Sequence, residues 1–211
     1  MAERLHDTVT TCLLAGGEGR RVNGQDKGLL MHEGRPLADW VLQQVAPQSG
    51  SVLISANRHI EVYTQLHRPW AQVGDDSKVV WPDDADLPPH SGPLAGIITL
   101  LRRVQSDWAM VVPCDTPHLP GDLVARLLSQ AQDAKADIVV PQTQKPGEAP
   151  RLHWVCALVN KRVCPETQAL FVQGERKVGN WVRSQNWSSV SFADDAAFTN
   201  MNTLETLHGR A

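Results

Sequence analysis

Thr11-Cys12-Leu13-Leu14-Ala15-Gly16-Gly17-Glu18-Gly19-Arg20-Arg21-Val22-Asn23-Gly24-Gln25-Asp26-Lys27-Gly28-Leu29-Leu30 is the stretch from which the rest of the chain can be read. An apolar run stops abruptly at Ala15-Gly16-Gly17. Adjacent cations at Arg20 and Arg21, a further glycine at Gly24 and the pair Asp26-Lys27 follow. Glycines allow backbone conformations closed to other residues and turn N–H groups toward a ligand. Arginine and lysine add the charge that a polyphosphate requires. A glycine-rich surface turn with solvated charges has the same composition. The position directly behind a predicted strand favours phosphate binding.

Two common phosphate loops are excluded by single residues. A Walker A loop closes on Gly-Lys-Ser/Thr, whereas Gln25 follows Gly24. A dinucleotide fingerprint starting from Gly17 and Gly19 needs glycine or alanine at position 22, where Val22 stands.

Moving outward, the 211 residues suit one domain with a substantial core. A net charge of −3 does not mark the surface as a nucleic-acid partner. Glu3, Arg4 and Asp7 interrupt the first ten residues, which argues against a secretory leader, and no segment approaches the ~18 apolar residues of a membrane span. The four cysteines, Cys12, Cys114, Cys156 and Cys164, form no Cys-x-x-Cys pair, so reduced thiols and a cytoplasmic location are expected.

Val9 to Leu14 reads as a buried strand of the parallel type. Further strands are expected at Ser51–Ser55, Val79–Trp81, Trp108–Val112 and Ile138–Val140. Leu152–Val159, expected to be antiparallel, and Ser188–Phe192 follow. Helices should open at Pro36, Pro93 and Pro120, because proline suits a first helical position. Weaker helical patterns cover Arg58–Leu66, Val163–Val172 and Val178–Val182, and Thr203 can cap a short C-terminal helix. Strands alternating with helices at this spacing indicate an α/β domain with a mainly parallel sheet. Most of the seven tryptophans fall on predicted apolar faces and read as core.

In such a sheet, ligands bind beyond the carboxyl ends of the strands, where strand order reverses. The loops after Leu14, Ser55, Trp81 and Val112 would then share one edge. That edge would gather Arg21 and Lys27, Asn57-Arg58, Asp83-Asp84 and Asp115. Cations with separated carboxylates suit a nucleoside triphosphate with magnesium. Pro113 and Pro117 bracket Asp115 and restrict its backbone; metal binding and a helix cap both fit it. Asp83, or its neighbour Asp84, stands where a carboxylate can accept hydrogen bonds from ribose or from the donors of guanine.

The glycine stretch resembles the signature of the molybdenum cofactor guanylyltransferases, Leu-Ala-Gly-Gly-x-x-x-Arg-Met-Gly-Gly-x-Asp-Lys-Gly-Leu. It matches at Leu14, Ala15, Gly16, Gly17, Arg21, Gly24, Asp26, Lys27, Gly28 and Leu29, and departs at Val22 and Asn23. Cys114-Asp115-Thr116-Pro117 resembles a second segment of that family, in which the aspartate binds the metal. The resemblance implies a three-layer, Rossmann-like nucleotidyltransferase domain. Its nucleotide-binding part would be about 8–120 and its acceptor side about 121–211. It implies transfer of GMP from GTP to the terminal phosphate of Mo-molybdopterin, with Mg²⁺ on Asp115 and pyrophosphate leaving. Arg21, Lys27 and Asp115 would be catalytic. Leu14, Ala15, Gly16, Gly17, Lys27, Ser55, Asn57, Asp83 and Asp115 would hold the nucleotide, with Ser55 standing where the family carries an amide. Asn200-Met201-Asn202-Thr203 resembles the family's Asn-x-Asn-Thr, which implies an acceptor-side role for Asn202; turn chemistry is the alternative. Molybdopterin-synthesis proteins and client molybdoenzymes would be its protein partners. Alternatives are a cytidylyltransferase for the same pterin, a sugar- or polyol-phosphate nucleotidyltransferase, and a non-catalytic module that delivers the cofactor.

Overall fold

A computed structural model describes residues 8–17, 24–71 and 78–201. Arg21, Val22 and Asn23, Asn202 and the C-terminal helix expected from Thr203 lie outside the described residues.

The first strand, β1 (Val9–Leu14), is buried along almost its whole length, as its unbroken apolar run requires. Parallel neighbours flank it on both sides: β4 (Ser51–Ser55) on one and β6 (Trp108–Pro113) on the other. A short β5 (Val80–Trp81) continues the sheet beyond β4. On the far side of β6 lies β9 (Ala157–Asn160), antiparallel both to β6 and to β7 (Ile138–Thr143). An outermost β10 (Trp187–Phe192) runs parallel to β7. The sheet order is β10-β7-β9-β6-β1-β4-β5, with β8 (Arg151–Leu152) pairing antiparallel with β7. The mainly parallel α/β architecture expected from the alternating pattern is therefore present.

Helices cover both faces of the sheet. Side chains of α1 (Leu37–Val45), α2 (Ile60–His67) and α4 (Leu123–Ala134) share one apolar core with Leu13, Ile54, Met110 and Val139. Those of α3 (Pro93–Leu101), α5 (Cys164–Val172) and α6 (Val178–Ser184) share another with Cys12, Val111, Val140 and Val159. Alternate strand residues thus point to opposite layers. All four cysteines are buried free thiols, and no described helix is long and apolar enough to cross a membrane. Trp181 is fully buried in the second core, where its indole N–H donates to Thr167 Oγ1 at 2.9 Å.

Three local expectations need correction. Pro36 does not open α1; it pairs with Met31 in a small hairpin, β2 (Met31–His32) and β3 (Arg35–Pro36), and the helix starts one residue later. Glu33 and Gly34 form the turn with φ of 48° and 79°, a two-residue connection whose backbone glycine makes possible. Pro120 lies three residues before α4, and its carbonyl accepts a bond from Leu123 N–H instead. The strand expected at Leu152–Val159 is broken into β8 and β9 by a turn closed from Cys156 N–H to the His153 carbonyl. Pro93, by contrast, does open α3.

Candidate active site

Because β1, β4, β5 and β6 run the same way, Leu14, Ser55, Trp81 and Pro113 all end on one edge. Strand order reverses about β1, which opens a crevice there. A cavity of about 430 Å³ occupies that crevice. Leu14, Ala15, Gly16, Gly17 and Lys27 line it from the glycine loop and the turn that follows. Ser55, Asn57, Asp83 and Asp115 line it from the neighbouring strand ends. The nine nucleotide-site residues expected from the sequence are thus brought to one cavity. Gly92 and Pro93 also border it, directing the positive end of the α3 backbone dipole toward the same space.

Lys27 begins a short 3₁₀ turn, Lys27–Leu29, capped by Asp26. Asp26 Oδ1 accepts from Gly28 N–H at 3.2 Å and from the Tyr63 hydroxyl at 2.6 Å. Gly28 is required by close approach: a β-carbon there would clash with the Tyr63 hydroxyl and meet Cys114 Cβ and Sγ, both at 3.2 Å. On the other wall, Cys114 N–H donates to the Leu14 carbonyl, which ties the Asp115 loop to the end of β1. The Lys27 ammonium then lies 3.4 Å from Asp115 Oδ2. Burial pushes the Asp115 carboxyl up from the ordinary range, and the Lys27 ammonium pulls it back only in part.

Asn57 and Asp83 form a reciprocal pair. Asn57 Nδ2 donates to Asp83 Oδ2 at 2.9 Å, and Asp83 N–H donates to Asn57 Oδ1 at 2.8 Å. The same Nδ2 reaches the Gly16 carbonyl at 3.3 Å, so the β4 and β5 loops hold the start of the glycine loop. Asp84 faces elsewhere: it is bound by Arg102 and Arg103, from the end of α3. Burial alone would raise its carboxyl, but the two guanidinium groups more than offset this and hold it below the usual range. Asp83 is therefore the member of the pair that lines the cavity. Arg58, expected among the groups facing a triphosphate, instead donates to two backbone carbonyls, Gly24 at 2.9 Å and Gly17 at 3.2 Å. Its planar fork bridges the two ends of the glycine loop.

Several residues at the site had weak sequence signals or none. Asp26 stands out in the sequence as a match to the family signature beside Lys27 but carries no role there, and Tyr63 falls on a helix of poor periodicity. Asn200 also lines the cavity; its side-chain oxygen accepts from the Thr116 hydroxyl at 3.2 Å. Met201 N–H donates to the Asp115 carbonyl at 2.8 Å, and the Met201 side chain packs on Leu30 and Leu37. The Asn-x-Asn pattern had marked this segment, although Asn202 itself lies beyond the described residues. Trp154 packs edge to face against Trp187 at 5.5 Å and under Arg183, and neither tryptophan is among the residues lining the cavity. His153 is stacked on Phe198 at 4.6 Å and bonded to Thr143 Oγ1 at 2.9 Å. That hydroxyl donates in turn to Asp195 at 2.6 Å.

Comparison with known proteins agrees with this geometry. Residues 11–190 match the family described as the MobA-like NTP transferase domain. A molybdenum cofactor guanylyltransferase of Burkholderia ambifaria is 37% identical over 95% of this chain and 94% of its own length. Two solved structures share the fold. One is molybdopterin-guanine dinucleotide biosynthesis protein A from Archaeoglobus fulgidus, with TM-score 0.69 at 22% identity over 94% of this chain and 95% of that one. The other is 4-diphosphocytidyl-2C-methyl-D-erythritol synthase from Anaerococcus prevotii, with TM-score 0.71 at 9% identity over 96% of each chain. A glycine loop and an Asp115 loop on adjoining strand ends, with the family match spanning both, lead to one conclusion: the chain belongs to the molybdenum cofactor guanylyltransferases, nucleotidyltransferases built on a MobA-like NTP transferase domain.

Proposed function

We propose that the protein transfers GMP from GTP to the terminal phosphate of Mo-molybdopterin, releasing pyrophosphate and forming molybdopterin guanine dinucleotide. The observation that carries this reading is the Lys27 ammonium, from the turn after the glycine loop, 3.4 Å from Asp115 Oδ2 in the loop after β6. A phosphate oxygen of the acceptor attacks the α-phosphorus of GTP in line, so no protein nucleophile is needed. Catalysis is positioning plus neutralisation of charge. Lys27 and the backbone N–H groups of Gly16 and Gly17 hold the triphosphate, while Ala15 N–H is taken by the Ser55 carbonyl. Arg21, outside the described residues, is assigned to the same phosphates through the family signature. Asp83 and Asn57 hold the nucleoside end, and Asn202, outside the described residues, keeps the acceptor-side role that the family pattern implies, next to Asn200 on the cavity wall. A single domain is the reading that the sheet supports: β9, from the acceptor half, lies between β6 and β7.

Magnesium fits the donor set. Among the described residues no three acidic, histidine or cysteine side chains gather into a metal cage, and Asp115 supplies one buried carboxylate at the cavity. Magnesium takes one or two carboxylates and completes its shell with water and phosphate oxygens, unlike zinc. Asp115 would hold it, and the bound ion would offset charge on the leaving pyrophosphate.

The test is to supply magnesium, each nucleoside triphosphate in turn and molybdopterin, then identify the nucleotide in the product. GTP should be the substrate, and Lys27→Ala and Asp115→Ala should each lose on the order of 10²–10³ in rate while staying folded. GTP binding without pyrophosphate release would favour a carrier and overturn the reading. Incorporation of CMP would overturn the base assignment.

A further inference from the structure

Lys27 can work only if its ammonium is held at a fixed place against Asp115, and a lysine side chain has four flexible methylene groups. Rigidity must then come from the turn beneath it. Asp26 caps that turn while itself buried at 7% exposure, and its Oδ2 is buried with no hydrogen-bond partner among the described residues. Its other oxygen carries both bonds, one from Gly28 N–H and one from the Tyr63 hydroxyl. A buried carboxylate with so few donors depends strongly on each of them.

Tyr63 comes from α2, lies fully buried, and is the only tyrosine of the chain. A phenylalanine would fill the same apolar position; the hydroxyl is needed only to reach Asp26. Gly28 is held between that hydroxyl on one side and Cys114, the residue before Asp115, on the other. We propose that Tyr63 is a positioning residue for Lys27: through Asp26 and Gly28, its hydroxyl holds the turn that sets the ammonium against Asp115. This inference rests on the reading that Lys27 and Asp115 act on the triphosphate. A displacement of about 1 Å in such a group is enough to cost on the order of 10²-fold in rate.

Tyr63→Phe keeps the ring and removes only the donor. We expect kcat to fall about tenfold to hundredfold, the range for a hydrogen bond to a charged group, with KM for GTP changed by less than about twofold. Circular dichroism should show a folded chain. In a Lys27→Met background, adding Tyr63→Phe should change the single-turnover rate by less than about twofold, because the group being positioned is gone. An unchanged kcat in Tyr63→Phe overturns the proposal. So does a loss of the same size in the Lys27→Met background, which would mark a general loosening of the fold. Wild-type turnover in Lys27→Met alone would instead remove the catalytic reading, and this inference with it. The wild-type protein offers a test that needs no variant. With one tyrosine, a ¹³Cζ label gives a single NMR signal, which should be that of a bound hydroxyl and should move in Asp26→Asn; the signal of a freely solvated phenol would overturn the proposal.

Discussion

Gly28→Ala offers a sharp test of how the site is packed, because the space its methyl group would need is already filled. The new β-carbon would clash with the Tyr63 hydroxyl and sit 3.2 Å from both Cys114 Cβ and Sγ. Tyr63 is fully buried and Cys114 nearly so, at 7% exposure. Neither can swing into solvent, so relief requires a shift of the turn or of α2. Overpacking of this kind costs about 1–3 kcal/mol. For a chain of this length that corresponds to a fall of roughly 2–12 °C in Tm. The turn carries Lys27, so turnover should fall more steeply than stability. Thermal unfolding followed by circular dichroism, with pyrophosphate release measured well below Tm, separates the two effects. Adding Tyr63→Phe to Gly28→Ala removes the oxygen responsible for the worst contact, and should restore part of the lost Tm even though Tyr63→Phe alone destabilises. Such non-additivity is the signature of two groups in contact. If Gly28→Ala melts with the wild type, or if Tyr63→Phe adds its full loss on top, the packing argument is refuted.

Two further outcomes follow from particular contacts. Arg58→Lys keeps the charge but cannot bridge the Gly17 and Gly24 carbonyls as a planar fork does. Its KM for GTP should rise about two- to tenfold and lie nearer that of Arg58→Ala than that of the wild type; a wild-type KM in the lysine variant would show that charge alone matters. His153 should make the fold acid-sensitive: burial first, then the charge of Arg151, push its imidazole down from 6.5 to about 4, against the pull of Asp195. The unfolded chain therefore binds a proton before the folded one does. Stability is intact above pH 6.5 and is lost as pH falls toward about 4. The loss is about 1–2 kcal/mol once the partial exposure of the ring is allowed for. Urea midpoints across that window should fall in the wild type and fall less in His153→Gln; equal slopes would refute the assignment.

Much of this was legible in the chain because it depends on local chemistry. An apolar run ending in glycines marks a buried strand followed by a loop whose backbone is free to turn its N–H groups outward, and both signals act within a few residues. Prolines on both sides of Asp115 restrict the backbone wherever that loop is placed. The hairpin at Met31–Pro36 was hidden because its strands are only two residues long, too short to show a period. His153–Cys156 was hidden for a different reason. Its residues suit a strand, and the turn is chosen by the register of β8 and β9 against β7.

By itself, the sequence determined the alternation of strands and helices and the identity of the loops at the strand ends, since periodicity, glycine and proline act within a few residues. Tertiary structure alone decided which groups meet. Asp83 and Asp84 are equivalent on paper; Arg102 and Arg103, 18 and 19 residues further on, bind Asp84, while Asp83 pairs with Asn57 on the cavity wall. Tyr63 reaches Asp26 across 37 residues, and Asn200 meets Thr116 across 84. Contacts at such separations leave no local pattern, because they are made by packing two layers of helices onto one sheet. The glycine stretch could therefore be recognised from residues 11 to 30, but the support beneath Lys27 came into view only once α2 was folded against it.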